Sequence, residues 1–160
     1  LHKIHPQAGD CVFIPAGTVH ALGEGLLVAE IQQASDTTFR LYDWNRVGAD
    51  GQPRPLHVEQ SLDVIDFERG PVQPQTPRAV SPNVERLVEC DKFILDRQAV
   101  TGNTTIGGDD RFHIVCILAG EVSIGNKTYS VGQTALLPAA CGEVELACAA
   151  STTLLDMYLP

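Results

Sequence analysis

The stretch "GDCVFIPAGTVHALGEG", residues 9–25, decides how this chain is read. An apolar run, "CVFIP", leads into a Pro15-x-Gly17 turn, and one histidine, His20, follows. Proline presets φ and glycine tolerates left-handed backbone, so the pair makes a rigid turn. A rigid turn suits a metal ligand, which presents a neutral imidazole in one orientation. One histidine does not hold a catalytic metal, because such sites take at least three protein ligands. The other account of His20 is a hydrogen-bonded histidine at a barrel rim.

The unit recurs. Gly9, Pro15, Gly17 and His20 are matched in spacing by Gly132, Pro138, Ala140 and Glu143, with "TALLP" where the first copy has "CVFIP". Two copies of one supersecondary unit predict two related barrels in tandem. The surrounding pattern agrees with an all-β chain. Short β-rich runs fall at 11–14, 26–32, 39–43, 92–100, 112–118, 121–124, 127–131, 134–137, 143–147 and 152–159. Turn signals such as "GADG", "TGN", "GGDD" and "IGNK" punctuate them. Many short strands at this spacing predict a sandwich or barrel. One stretch differs: in "HVEQSLDVIDFE", Val58, Leu62, Ile65 and Phe67 approximate helical spacing, which predicts one short helix. "ERGPVQPQTPRAVSPN" carries four prolines and reads as an extended linker, since proline breaks both ladders and helices. The expected organisation is a first part over 1–67, a linker over 68–83 and a second barrel over 84–160.

Composition bounds the partners. The 160 residues are 44% hydrophobic and 19% charged, as in a globular protein. Eleven basic against twenty acidic residues give a net charge of −9, which disfavours nucleic acid and anionic membrane surfaces. Five cysteines form no CxxC pair, and an odd count argues for free thiols in a reducing, cytoplasmic setting. No apolar run reaches the length of a membrane span, and no signal peptide is present. The only methionine is Met157, so a chain opening on Leu1 reads as part of a longer protein.

The spacing Gly-x5-Pro-x-Gly-x2-His, here Gly9, Pro15, Gly17 and His20, resembles the second motif of the cupin superfamily. That motif usually ends in asparagine four residues on, where this chain has Glu24. The block "PAGTVHALGEGLLVAEIQQASDTTFRLYDWNR", residues 15–46, is more specific: it closely resembles type I mannose-6-phosphate isomerase in its bacterial form. "RPLHVEQSLDVIDF" and "LLPAACGEVEL" resemble the same family. The resemblance implies tandem cupin barrels, the first incomplete in this chain, and an aldose–ketose isomerase that uses zinc on a phosphorylated hexose. It implies His20 as one metal ligand, with the others from an earlier segment whose motifs are absent here. The chain by itself is therefore expected to bind little zinc and to be inactive. A non-catalytic sugar-binding or oligomerisation module is the competing expectation, because half a barrel leaves strand edges that invite self-association.

Glu30 and Arg40 stand ten and twenty residues beyond His20, which is where the family's active-site glutamate and arginine fall. Moving a proton between C1 and C2 through an enediol(ate) needs a base and a cation near the developing oxyanion. Arg40 fits charge stabilisation, and Glu30 fits sugar contact or orientation of Arg40. A structural Glu30–Arg40 ion pair across neighbouring strands is the other account. Gln32, Gln33, Ser35 and Asp36 form a polar cluster suited to sugar contact or to a capped turn. Arg46 is a candidate phosphate contact or a solvated arginine. Tyr42, Asp43 and Trp44 are expected to pack the barrel mouth. In the second part, a first cupin motif counted from Gly107 keeps His113 but has Val115 where a second histidine belongs, so this barrel is expected to be metal-free. His57 reads as a structural or capping residue at the helix start.

Overall fold

The structure is a computed structural model describing residues 1–35 and 37–160, with the side chain of Ala149 excepted. The chain divides into two units, Leu1–Pro74 and Gln75–Pro160.

The second unit is one antiparallel sheet. Its strands are β1 (Arg78–Ser81), β2 (Val84–Glu89), β3 (Ile94–Gly107), β4 (His113–Ala119), β5 (Glu121–Ile124), β6 (Lys127–Ser130), β7 (Thr134–Leu137) and β8 (Glu143–Tyr158). The main order is β1-β2-β3-β8-β4-β7, with β5 between β6 and β8. Side chains alternate across a strand, so every second residue turns inward. Along β4, His113, Val115 and Ile117 are buried, and along β7, Ala135 and Leu137 are. These meet Val100, Ile106, Val122, Leu146, Cys148 and Leu154 in one core. Val115, Val122, Leu146 and Leu154 are wholly enclosed. The all-β, barrel-like architecture expected of the chain is therefore realised in this sheet.

Four details differ from the sequence reading. "TGN" is no turn: it lies inside β3, where pairing steps from Val100–Thr152 to Gly102–Cys148. Gly102 has φ +81°, so the strand bends there without leaving the ladder. For the same reason the runs at 143–147 and 152–159 are one strand, β8. The strand β2 breaks alternation, since Leu87 and Val88 are both buried and its register with β3 shifts between Arg86 and Val88, which hides it from a period-two reading. Its partner β1 lies inside the stretch expected to be linker.

The first unit carries the expected helix, α1 (Val58–Val64). Its remaining backbone pairs only as two isolated bridges, Val12–Pro74 and Val47–Pro53, among the described residues. The strands expected at 26–32 and 39–43 do not form there, and 11–14 contributes only Val12 to a bridge. Leu27 is fully exposed, and Leu26 and Val28 are about half so. A strand is stable as a member of a ladder with a buried face, and these residues have neither.

The sequence repeat is also a repeat of turns. In the first copy, Asp10 N–H donates to Gln7 O at 3.0 Å and Thr18 N–H to Pro15 O at 3.2 Å. In the second, Gln133 N–H donates to Ser130 O at 3.0 Å and Cys141 N–H to Pro138 O at 2.9 Å. The side chains match as well: Asp10 accepts from Gln7 N–H, as Gln133 does from Ser130 N–H. Gly9 and Gly132 both sit at positive φ. Local sequence alone thus produces the same two turns in both units.

Candidate functional site

His20 sits just beyond the first copy's proline turn. Gly17 closes that turn at φ +80°, and its carbonyl accepts Asp66 N–H at 3.0 Å. A Cβ at Gly17 would lie 2.8 Å from Val64 O, so only glycine lets the end of α1 approach so closely. Arg69 adds a clamp, donating to Ala16 O at 3.2 Å and to Thr18 Oγ1 at 3.3 Å. The imidazole of His20 is exposed, and its Nδ1 lies 2.9 Å from Thr18 O. A carbonyl only accepts, so Nδ1 is the donor; in the neutral ring this contact leaves the lone pair on Nε2. That is the tautomer a metal ligand needs. No group of three His, Cys, Asp or Glu side chains that could hold a metal occurs among the described residues. His20 suits one position of a zinc site, but these residues do not make the whole site.

Arg40 lies on a closed hairpin built from residues 40–57. Arg40 and His57 bond reciprocally: His57 N–H donates to Arg40 O at 2.8 Å, and Arg40 N–H to His57 Nδ1 at 3.1 Å. Farther in, Arg54 grips Asp43 with Nε on Oδ2 at 2.7 Å and a terminal nitrogen on Oδ1. At the tip, Val47 bridges Pro53, and Gly48 N–H donates to Gln52 O at 2.7 Å. Asp43 is buried, and its carboxyl is held below the usual range, first by the hydrogen bond from Arg54 and then by the charges of Arg54, Arg40 and Arg46. Arg40 Nε stands 3.7 Å from Asp43 Oδ1, and its terminal nitrogen donates to Pro55 O at 3.2 Å. Asp43 therefore joins an ion-pair cluster with Arg54 and Arg40.

Between Asp43 and Arg46 the chain turns through Trp44 and Asn45, both at positive φ (49° and 55°), with Arg46 N–H on Asp43 O at 2.9 Å. Two non-glycine residues in the left-handed region are costly, and such strain concentrates at functional sites. Tyr42 and Trp44 meet edge to face at 5.3 Å, and the Arg46 guanidinium lies 5.5 Å from the Trp44 ring centre.

Glu30 and Gln32 are exposed, and no Glu30–Arg40 ion pair forms among the described residues; Arg40 pairs with Asp43 instead. The cross-strand pair needed a strand at 26–32, which is not formed. Ser35 Oγ accepts Thr37 N–H at 3.2 Å, and Gln33 is exposed. Asp36, the fourth residue of that polar cluster, lies outside the described residues.

In the second unit His113 is buried between carboxylates. Its Nδ1 lies 2.8 Å from Asp156 Oδ1, and its Nε2 lies 3.1 Å from Asp109 Oδ1. Burial pushes the Asp156 carboxyl up. Burial acts the same way on Asp109, but bonds from His113 and Arg111 outweigh it and hold that group at about 2. Beside them, Asp96 accepts from Arg86 Nε at 2.9 Å and from Tyr158 O–H at 2.8 Å. The His113 ring is thus fully engaged, and Val115 is wholly enclosed in the core. Glu143, the counterpart of His20, is exposed.

No family model matches the chain. Curated relatives do. It is 33% identical over 155 residues to the mannose-6-phosphate isomerase ManA of Bacillus subtilis, which covers 91% of this chain and 48% of that protein. It is 35% identical over 145 residues to the mannose-6-phosphate isomerase of Streptococcus mutans, covering 86% and 45%. This chain is a relative of the mannose-6-phosphate isomerases. It spans about half the length of the curated relatives it matches. The fold agrees. The crystal structure of the Bacillus subtilis mannose 6-phosphate isomerase superposes with a TM-score of 0.59 at 22% identity, over 77% of this chain and 40% of that one. The Salmonella typhimurium enzyme, solved with fructose 6-phosphate and zinc, gives 0.53 at 17% identity, over 68% and 29%.

Sequence reasoning did not single out Arg54. Its signal was available: "GADG", a turn read at 48–51, closes a hairpin that sets residues 43 and 54 side by side.

Proposed function

We propose that this chain is the C-terminal portion of a mannose-6-phosphate isomerase. The whole protein would interconvert mannose 6-phosphate and fructose 6-phosphate by zinc-assisted proton transfer through an enediol(ate). The observation that carries this reading is the 33% identity over 91% of this chain to a protein of that name, of which the chain spans 48%. Residues 1–67 then contribute half of the catalytic barrel, and 84–160, with β1 (Arg78–Ser81) added to their sheet, a metal-free barrel.

The roles are those the family resemblance implies, and the geometry supports those of His20 and Arg40. His20, with Nδ1–H on a carbonyl and Nε2 free, supplies one ligand. The rest of the zinc site is assigned to the share of the relatives that this chain does not span. Arg40, half-buried and held by Pro55 O and Asp43, would stabilise the oxyanion that develops as the C–H proton leaves; its fixed guanidinium supports that role. Glu30 is assigned to the sugar hydroxyls. The substrate is a phosphorylated hexose, and the setting is the cytoplasm. No helix of the described residues is long and apolar enough to cross a membrane.

Complementation tests this reading. The chain is co-expressed with the part of the Bacillus subtilis relative that lies outside the matched region, and mannose 6-phosphate turnover is assayed. The chain alone should show no rate and little zinc, and the pair should show both. Arg40→Ala should abolish the restored rate while leaving the urea midpoint nearly unchanged. Stoichiometric, tightly held zinc in the chain alone would sink the missing-ligand argument. The exposure of Leu26, Leu27 and Val28 favours a second reading, a non-catalytic module that self-associates through this apolar surface. Concentration-dependent dimers with no complementation would support it.

A further inference from the structure

Both backbone groups of Arg40 are held by one residue. Its carbonyl accepts His57 N–H at 2.8 Å, and its own N–H donates to the His57 ring at Nδ1, 3.1 Å away. His57 occupies the N-cap position of α1, where a side chain ordinarily accepts from the first-turn amides. Its ring makes no such bond and turns to Arg40 instead. The His57 backbone still serves the helix, since Ser61 N–H and Ser61 Oγ both donate to its carbonyl. One half-buried residue thus ties the start of α1 to the arginine at the mouth of the hairpin. The charged groups on the elements around the ring are Arg40 and Arg54 on the two arms of the hairpin, both directed to Asp43, and Glu59 and Asp63 on α1, both exposed. None of them forms an ion pair with His57 among the described residues. The Phe39 ring lies 6.2 Å from the imidazole, tilted by 58°.

We propose that His57 is the positioning residue of Arg40: its neutral ring fixes the Arg40 backbone, and protonation of Nδ1 releases it. An amide N–H only donates, so Nδ1 must carry a lone pair, and in the neutral ring the proton then lies on Nε2. A protonated ring carries N–H on both nitrogens and sets a donor against the Arg40 donor. The bond is therefore present while the ring is neutral and is lost as the ring charges on acidification. With both backbone groups pinned, only side-chain torsions separate the guanidinium from Pro55 O and Asp43. Much of the ordering needed before it meets a developing oxyanion is already made. Loss of the bond frees the backbone at residue 40 and loosens both of those contacts. The catalytic consequence rests on the isomerase reading; the bond that holds Arg40 does not.

Nuclear magnetic resonance on the 160-residue chain tests this. The His57 ring nitrogens, the Arg40 amide and the Arg40 Nε group are followed from about pH 8 to about pH 5, the range in which histidines gain charge. At the upper end Nδ1 should be the unprotonated nitrogen. The Arg40 amide and Nε signals should move in the same step as the His57 ring charges. His57→Asn offers an amide oxygen near the place of Nδ1 that accepts without titrating. That variant should keep the upper-pH Arg40 signals and lose the step. His57→Ala should speed exchange of the Arg40 amide by roughly tenfold, the equivalent of one hydrogen bond. A proton on Nδ1 in the neutral ring, or Arg40 signals that ignore the His57 step, overturns the inference. The unsubstituted chain and His57→Asn decide this even where His57→Ala fails to fold. In the complemented enzyme, His57→Ala should lower kcat by roughly tenfold with KM little changed, and His57→Asn should restore kcat and remove its fall in step with the His57 titration. The two readings fail separately. Restored turnover whose kcat is untouched by His57→Ala defeats the positioning role alone. Arg40 signals that follow His57 in a chain that complementation never activates defeat the isomerase reading alone.

Discussion

Asp43 and Arg54 pair side by side across the 40–57 hairpin, with Arg54 Nε donating to Asp43 Oδ2 at 2.7 Å. Asp43 is buried in the first unit, so its ionised form is retained by this partner.

The Asp43 carboxyl is held below 3.8, so its contribution to folding is present above that value and is lost as pH falls through the lowered one. Trp44 fluorescence should therefore show an acid transition below pH 3.8. Asp43→Asn should remove it, and a transition unaltered in that variant would separate the hairpin from this carboxyl.

His113 in the second unit predicts a large mutational effect. His113→Ala leaves Asp156 buried with only the long bond from Gln98 Nε2 at 3.4 Å, and removing one partner of a buried pair costs roughly 3–5 kcal/mol. Replacing both His113 and Asp156 by apolar residues should cost less than the single change. Urea unfolding at unchanged m-value measures each, and a single-mutant loss under about 1 kcal/mol would contradict the buried-pair account.

The carboxylates flanking His113 give opposite pH slopes. Asp109, lowered to about 2, contributes stability above 3.8 that is lost as pH falls toward 2. Asp156, raised by burial, contributes at low pH and loses its share as pH rises from 3.8 through its raised value. Asp109→Asn should flatten the acid limb of the stability curve, and Asp156→Asn should steepen it. Identical acid limbs in both variants would refute the assignment.

Tyr158 should set the alkaline limit. Burial, reinforced by its bond to Asp96, raises its hydroxyl to about 12 from 10.0. Its share of stability is full below pH 10 and is lost as pH approaches 12. Tyr158→Phe should remove both that loss and one tyrosinate absorbance step near pH 12.

Gly17→Ala should destabilise the first unit by roughly 1–3 kcal/mol, since it adds a strained φ and a clash with the carbonyl at the end of α1. Trp44 fluorescence during urea unfolding reads this. An unchanged midpoint would mean that α1 does not hold the turn.

What the chain's own order determined is local. Proline and glycine spacing produced the same pair of turns in both units, with Thr18 N–H on Pro15 O and Cys141 N–H on Pro138 O. The period-two pattern located β4, β5 and β7, and helical spacing located α1. His20 and Arg40 were legible because the block around them resembles a known family. Partnership was decided by tertiary structure. Whether 26–32 becomes a strand depends on a neighbouring ladder, and whether "TGN" ends a strand depends on Cys148 being there to continue the pairing. Arg40 pairs with Asp43, not Glu30, because a hairpin tip at 48–51 closes that loop and no strand presents Glu30. Backbone dihedral preferences act over a few residues and are written in the sequence. Hydrogen-bond ladders and buried charge pairs join residues far apart in the chain, and only the folded chain shows which of them meet.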